Sequence, residues 1–325
     1  MRALPEAVSA AVGVLGELAR EGAPLGARTT YRVGGRAAVL VEAGSVAELG
    51  RVADAVTASE LPVIVVGRGS NLLVADAGFP GIAVVLGPAF EQLAIRGTGA
   101  VAGGAVPLPV LARRTAAAGL TGLEWAVGVP GTVGGGVRMN AGGHGSDIAA
   151  TLVGIHRLDL RTGDHDEVPA ADLALGYRRS TVEAHQVVVD ATFRLGPGDA
   201  DAAGAELAAI VRWRREHQPG GQNAGSVFTN PPGDAAGRLV DAAGCRGLRI
   251  GSATVSTKHA NFIQADEGGS ADDVLTLIRT VIAEVERGSG VVLHPEVRLV
   301  GFTEPEGLGR RGAGPDDPPR REVEG

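Results

Sequence analysis

Two stretches of this chain have the residue types that hold a phosphate through the backbone. Gly67-Arg68-Gly69-Ser70-Asn71 follows a short apolar run over residues 62–66. Glycines there let main-chain N–H groups approach an anion with no Cβ in the way, and Ser70 and Asn71 add side-chain hydrogen bonds. Taken alone, five such residues make an ordinary tight turn. They are not alone. Residues 129–143 form a second run of this kind, with four glycines among the six residues 131–136. Ordering each of those glycines costs about 0.5–1 kcal/mol relative to alanine. A bound dinucleotide is the candidate that would offset this cost. A third stretch fails the same test. Gly97-Thr98-Gly99-Ala100-Val101-Ala102 matches G-x-G-x-x-A, but Gly103, Gly104 and Pro107 follow where that fingerprint needs a helix N-terminus. No phosphate loop of the G-x-x-x-x-G-K-[ST] form occurs.

The elements that must position these loops follow from periodicity. Residues 4–21 read as an amphipathic helix and 22–30 as an irregular entry. Residues 31–42 read as a strand region with Gly34-Gly35 as a bend. Ser45 and Glu48 have capping-box spacing ahead of Leu49, Val52, Ala55 and Val56 on one helical face. With the strand before Gly67 this makes a βαβ-like unit. Strands are expected at 71–74, 82–86, 92–96, 100–106, 152–159 and 186–195, and a helix at 108–118. Gly196-Pro197-Gly198 reads as a hinge. Beyond it, helices are expected at 202–217 and 234–243, and another after Ser270 and Asp273, with a strand within 254–264 and one at 291–300. From Thr303 onward proline, glycine and charge dominate, which predicts a disordered tail over 303–325.

Composition narrows the function. The chain has 325 residues, 44% hydrophobic and 21% charged, which suits a multidomain globular enzyme. Its formal net charge of -7 supplies no general field for nucleic acid. Cys245 is the single cysteine, so neither an intrachain disulfide nor a cysteine-based metal cluster can form. No run reaches the ~20 apolar residues that span a bilayer, and the first twenty residues lack a signal-peptide pattern. The expectation is a cytoplasmic protein, monomeric, with no membrane or nucleic-acid partner and no bound metal.

The two loops carry a resemblance. Val65-Val66-Gly67-Arg68-Gly69-Ser70-Asn71-Leu72-Leu73-Val74 resembles the pyrophosphate loop of FAD proteins of the p-cresol methylhydroxylase-like (PCMH) superfamily. Gly122-Leu123-Glu124-Trp125-Ala126-Val127-Gly128-Val129-Pro130-Gly131-Thr132-Val133-Gly134-Gly135 resembles the second FAD loop of one branch, the UDP-N-acetylmuramate dehydrogenases. Three later segments stand in that family's order: Leu175-Gly176-Tyr177-Arg178-Arg179-Ser180, Gly225-Ser226-Val227-Phe228-Thr229-Asn230-Pro231 and His294-Pro295-Glu296-Val297-Arg298. Singly each has an ordinary reading: a strand end with a solvated arginine, a turn, a surface glutamate. Together they span residues 24–301 in the family's order.

The resemblance implies an α+β fold. A helix (1–21) would precede a PCMH-type FAD-binding region of two α/β subdomains (22–197) and a C-terminal α/β substrate domain (198–302). It implies noncovalent FAD held by Gly67, Arg68, Gly69, Ser70, Asn71, Pro130, Gly131, Thr132, Gly134, Gly135 and Asn140, with NADPH as co-substrate. The implied reaction passes hydride from NADPH through FAD to the enolpyruvyl double bond of UDP-N-acetylglucosamine enolpyruvate. Ser226 would donate the proton, Arg178 would stabilise the negative charge and Glu296 would hydrogen-bond the enol. Tyr177, Arg215, Asn230, Arg246, Lys258 and His259 are the candidates for substrate contact. Two positions depart from the family. His144 stands where tyrosine is more usual, and Thr229 where lysine is common. The segment 195–202 is short, as in the branch without the insertion that carries a substrate-covering tyrosine loop. Two other readings compete: a flavin oxidase of the same superfamily, and a binding protein that kept the flavin fold without its chemistry.

Overall fold

A computed structural model describes residues 3–303, so the expected tail, from residue 304 on, lies outside the described residues. The first helix, α1 (Leu4–Leu15), ends six residues earlier than its periodicity suggests. Gly16 closes it at φ 55, one 3-10 turn follows, and the chain enters strand β1 (Arg20–Pro24) where an irregular entry was expected. β1 runs antiparallel to β2 (Arg36–Ala43). The helix α2 (Val46–Ser59) begins as expected, with Ser45 Oγ accepting from Glu48 N at 3.2 Å. β3 (Val63–Val65), β4 (Leu72–Val74) and β5 (Phe79–Leu86) follow. The first sheet has the order β1-β2-β5-β3, with β2, β5 and β3 parallel. Because β2, β5 and β3 run parallel, the loop after β3 lies at the carboxyl end of these strands, where ligands are held in open α/β sheets.

The second layer is antiparallel. β6 (Leu93–Arg96) and β7 (Gly99–Gly103) form a hairpin whose apex is Gly97-Thr98, so the rejected dinucleotide fingerprint is a turn and opens no helix. After α3 (Leu108–Ala117) and a short strand β8 (Leu120–Thr121), the second glycine run contains a helix that periodicity did not reveal, α4 (Val133–Arg138). A tight hairpin, β9 (Gly142–Gly143) and β10 (Ser146–Asp147), comes next. β11 (Leu152–Asp159), β12 (His165–Pro169) and β13 (Gln186–Arg194) complete a sheet of order β12-β11-β13-β7-β6. The polar strand β12 escaped prediction because only Val168 of its five residues is buried. Gly196-Pro197-Gly198 is not a loose hinge. β14 (Gly196–Pro197) pairs with β8, and Gly198 N donates to Gly119 O at 2.8 Å.

The remaining chain builds α5 (Ala200–His217), α6 (Ala236–Ala242), the three-stranded sheet β15 (Arg249–Ile250), β16 (Ala253–Val255) and β17 (Ile263–Ala265), and α7 (Ala271–Ser289). Eight apolar and small residues of α7 are buried, Val274, Leu277, Ile278, Val281 and Val285 among them, as their spacing requires. The last strand is only β18 (Arg298–Val300), and it lies parallel to β4. Tyr31, Val33 and Leu73 are buried in one apolar cluster with Val227, Phe228, α6 and α7. Asp76 accepts from Ser270 Oγ (2.6 Å) and from the backbone N–H of Ala271 (3.0 Å) and Asp272 (3.1 Å) at the start of α7. The C-terminal layer is thus bolted to the first glycine loop's own strand, which fixes the distance between loop and C-terminal side chains.

Candidate active site

The first loop leaves β3 at Gly67 and re-enters structure at β4. Among the described residues no protein acceptor is recorded for the backbone N–H of Gly67, Arg68, Gly69, Ser70 or Asn71. Five consecutive unsatisfied donors at a strand end form an anion-binding nest. Gly69 has φ 60, and a Cβ there would fall 2.6 Å from Thr29 Cα. A Cβ on Gly67 would lie 2.7 Å from Thr132 Oγ1, so the two glycine loops touch. A cleft of about 290 Å³ lined by Arg28, Gly67, Arg68 and Val85 opens beside the nest. These features fit the diphosphate of a dinucleotide.

The second loop contributes differently than expected. Val133 N donates to Val106 O at 2.9 Å, Gly134 N to Gly104 O at 2.9 Å, and Gly135 N to Thr132 Oγ1 at 3.4 Å. Its amides from Val133 to Ala141 are spent on the fold, whereas the N–H groups of Gly131 and Thr132 have no protein acceptor among the described residues. Asn140 is buried and turned inward. Its Nδ2 donates to Asp147 Oδ2 (3.1 Å) and Gly176 O (3.0 Å), and its Oδ1 accepts from Ala149 N (3.0 Å). It therefore ties the second loop to the turn that bears Arg178, a positioning role in place of an open cofactor contact.

That turn is tight. Gly176 and Arg179 exchange two backbone hydrogen bonds, at 3.1 and 3.2 Å, and Tyr177-Arg178 form its apex. Arg178 has φ 56, a left-handed conformation that costs a β-carbon residue about 1 kcal/mol and is retained chiefly at functional sites. Its Cζ sits 5.4 Å from the Tyr177 ring centroid, and Nη1 donates to Gly142 O at 3.2 Å. Nε lies 2.7 Å from Glu296 Oε1; the N–H is not aligned with that oxygen, so the contact is an ion pair without hydrogen-bond geometry. Both side chains are mostly shielded, at 21% and 14% exposure, where charge interactions are little screened.

Glu296 and Ser226 sit on two strapped segments. Glu296 N donates to Val227 O at 2.7 Å, Thr229 N donates to His294 O at 3.0 Å, and Phe228 pairs with Pro295. Buried Asn261 clamps the Ser226 loop, with Oδ1 accepting from Phe228 N and Nδ2 donating to Phe228 O, both at 2.9 Å. Asn71 joins this to the first loop: its Nδ2 donates to Glu296 O at 3.2 Å and its carbonyl accepts from Arg298 N at 2.9 Å. Arg178, the Ser226 loop and Glu296 thus converge beside the nest, from three distant segments.

A model of an FAD binding domain matches residues 37–165, and a model of the C-terminal domain of UDP-N-acetylenolpyruvoylglucosamine reductase matches residues 217–300. The UDP-N-acetylenolpyruvoylglucosamine reductase of Rubrobacter xylanophilus is 40% identical over 280 residues, 86% of this chain and 94% of that one. The chain belongs to the UDP-N-acetylenolpyruvoylglucosamine reductase family. The reductase of Anaeromyxobacter sp. is 41% identical over 300 residues, covering 91% of this chain and 92% of the relative. The crystal structure of the Thermus caldophilus reductase superposes with a TM-score of 0.76 at 34% identity, over 87% of this chain and 99% of that one. The fold is accordingly the α+β, PCMH-type FAD-binding fold of this reductase family.

The candidate substrate residues of this family member divide. Arg246 is committed to the fold: Nε and Nη2 form a forked pair with Asp241 (2.7 and 2.8 Å), and Nη1 donates to Thr257 O at 2.7 Å. Asn230 Oδ1 accepts from Ala236 N at the start of α6, at 3.0 Å. Lys258 Nζ donates to Arg215 O at 2.5 Å, and both cations stand exposed at the end of α5. Burial, then nearby Arg246 and His217, push the His259 imidazole below its ordinary pKa, so it is neutral at pH 7. Its Nδ1 accepts from Asn261 N at 3.2 Å, which leaves Nε2–H as a donor. Sequence reasoning missed Asn261 and Arg28. It also missed Arg214, whose Cδ lies 2.7 Å from where a Cβ on Gly128 would be and whose pKa burial lowers. A helix-borne arginine gives no sequence signal that separates it from its neighbours.

Proposed function

We propose that this chain reduces UDP-N-acetylglucosamine enolpyruvate to UDP-N-acetylmuramate, an NADPH-dependent and FAD-mediated step of peptidoglycan precursor synthesis. The observation that carries this reading is the approach of Arg178 to Glu296, 2.7 Å apart, with Glu296 tied through Asn71 to the nest of free amides. Bound FAD supplies the two-electron relay between NADPH and the enolpyruvyl double bond. The chain's own residues then manage the charge and the proton. Addition at the methylene carbon leaves negative charge on the carbon next to the substrate carboxylate. Arg178, whose backbone is fixed before substrate arrives, offers a planar cation to that carboxylate and its enolate. Ser226 donates the proton to carbon, and Glu296 holds the guanidinium in place and hydrogen-bonds the enol. A serine hydroxyl is a weak acid, so the donation requires a strongly basic carbon and a site closed to water.

Gly67 to Asn71 with Gly131 and Thr132 would hold the FAD diphosphate through backbone N–H groups, with the exposed Arg68 supplying a cation. Residues 198–302 act as the substrate domain, with Arg215, Lys258 and the His259 Nε2–H toward the UDP diphosphate. Among the described residues no helix is long and apolar enough to cross a membrane. Together with the single cysteine, this fits the proposed cytoplasmic setting.

The purified protein is expected to be yellow, to bleach on anaerobic addition of NADPH, and to regain its colour only with the enolpyruvyl substrate. Reoxidation by oxygen during steady turnover of an alcohol, with no response to NADPH, would establish the oxidase reading instead. Neither loop carries a cysteine, tyrosine or histidine, and His144, just after the second, is the one candidate for a covalent link, so acid precipitation is expected to release all colour into the supernatant. Colour retained in the pellet would show a covalent link.

A further inference from the structure

The C-terminal half of α5 carries a feature that this chemistry does not use. Trp213 is 43% exposed, the only aromatic among the exposed large hydrophobic side chains of the described residues. Its indole is stacked on His217, one helical turn on, with centroids 4.6 Å apart and planes 14° apart. His217 Nδ1 lies 2.8 Å from Trp213 O; a carbonyl only accepts, so this nitrogen carries the proton and the ring is held parallel to the indole. His144 meets the same indole edge-on, with centroids 5.3 Å apart at 87°. It comes from the apex of the β9–β10 hairpin at φ 50, where asparagine or glycine is the usual choice. Two elements thus converge on an indole that stays 43% exposed, whereas the core tryptophan, Trp125, is 3% exposed.

Its position supplies a use. His144 is two residues from Gly142, whose carbonyl accepts from Arg178. Further along α5, in the same last turns, the Arg215 carbonyl accepts from Lys258 Nζ. Trp213 is thus joined through His144 to the hairpin whose Gly142 carbonyl is held by Arg178, and the exposed cations Arg215 and Lys258 belong to the same end of α5. An open aromatic plane on the same helix end as exposed cations suits a planar base joined to a diphosphate. We propose that Trp213, backed by His217 and flanked by His144, is the stacking platform for the nucleobase of a nucleoside diphosphate that enters this site. The proposal rests on the reductase reading above. In that reading both reactants bear such a base, uracil on the sugar nucleotide and adenine on NADPH, and stacking is tolerant of base identity.

The test is calorimetric titration of the FAD-loaded protein with UDP and, separately, with NADP+. Trp213→Leu keeps apolar bulk and removes the π face; Trp213→Phe keeps a ring. Trp213→Leu, with an unchanged flavin spectrum, is expected to weaken one of the two ligands by about tenfold, while Trp213→Phe stays within about threefold. Loss confined to UDP assigns the platform to uridine, and loss confined to NADP+ assigns it to adenosine. Equal binding of both ligands by Trp213→Leu and wild type overturns the proposal and leaves the ring cluster as packing between α5 and the hairpin. The wild type gives an independent reading, because Trp125 is buried and Trp213 is not. Saturating ligand is expected to quench the Trp213 emission, and titrations of UDP and NADP+ that both leave it unchanged would also overturn the proposal. A wild type that binds neither ligand defeats the reductase reading itself, an outcome distinct from a wild type that binds both and a Trp213→Leu variant that does so equally well.

Discussion

Ser226→Ala is expected to leave flavin reduction by NADPH near the wild-type rate and to slow reoxidation by the enolpyruvyl substrate by about 10²–10⁴-fold or more. The first half-reaction needs no proton at a substrate carbon, so removing a hydroxyl from that place costs it nothing. The second requires a donor positioned at the carbon, and a stray water is a poor substitute in a site that excludes solvent. The fold should not notice the change. No protein partner is recorded for Ser226 Oγ among the described residues, whereas its neighbours are fixed by Val227 N to Asn261 O at 2.8 Å and Glu296 N to Val227 O at 2.7 Å. The melting temperature is therefore expected to stay within about 2 °C of wild type, as for a surface-scale change. Stopped-flow absorbance of the flavin separates the two half-reactions. Equal slowing of both, or of neither, removes Ser226 from the proton-donor role.

How far the site could be read in advance depended on what kind of signal each residue leaves. The first glycine loop was legible because glycine after an apolar run permits the tight, left-handed backbone that turns amides outward, and its five free amides followed. The second was legible as glycine-rich but not as a helix. α4 is one short stretch, Val133–Arg138, with glycine at 134, 135 and 136, so it has too few side chains to show a period. It is fixed instead by the carbonyls of Gly104 and Val106, which reach it only through folding. The convergence of residues 178, 226 and 296 could be named from a family resemblance, but no spacing along the chain reveals it. It depends on non-local pairings, β18 against β4 and residues 227–229 against 294–296. The same non-local bonds explain the misread strands. Tyr31 and Val33 look like strand residues, yet they are buried against α6 and α7. The apolar stretch before β18 is spent on the Ser226 loop. Surface cations were the least legible class. Arg246 and Lys258 looked alike in sequence, and only their partners, a carboxylate for one and a helix-end carbonyl for the other, tell them apart.

Arg178→Ala is expected to slow the same half-reaction as Ser226→Ala by about 10²–10³-fold, the usual loss when one preorganised donor to a developing oxyanion is removed. It should differ in two further respects. The substrate carboxylate loses its cation, so affinity for the enolpyruvyl substrate falls along with the rate, whereas the serine variant keeps its affinity. The fold also loses a contact, because the Glu296 carboxylate, 14% exposed, no longer has the guanidinium 2.7 Å away, and a shielded charge that loses its counter-ion destabilises. Arg178→Lys separates charge from shape. A lysine restores a cation but not the planar fork that reaches Glu296 through Nε and Gly142 O through Nη1 together. It should therefore recover part of the substrate affinity and little of the rate. The measurement is the dependence of the reoxidation rate on substrate concentration in stopped flow, which yields affinity and limiting rate separately, with thermal melting alongside. If Arg178→Lys restores the limiting rate fully, charge alone suffices and the preorganised geometry of the strained turn at φ 56 has no catalytic role.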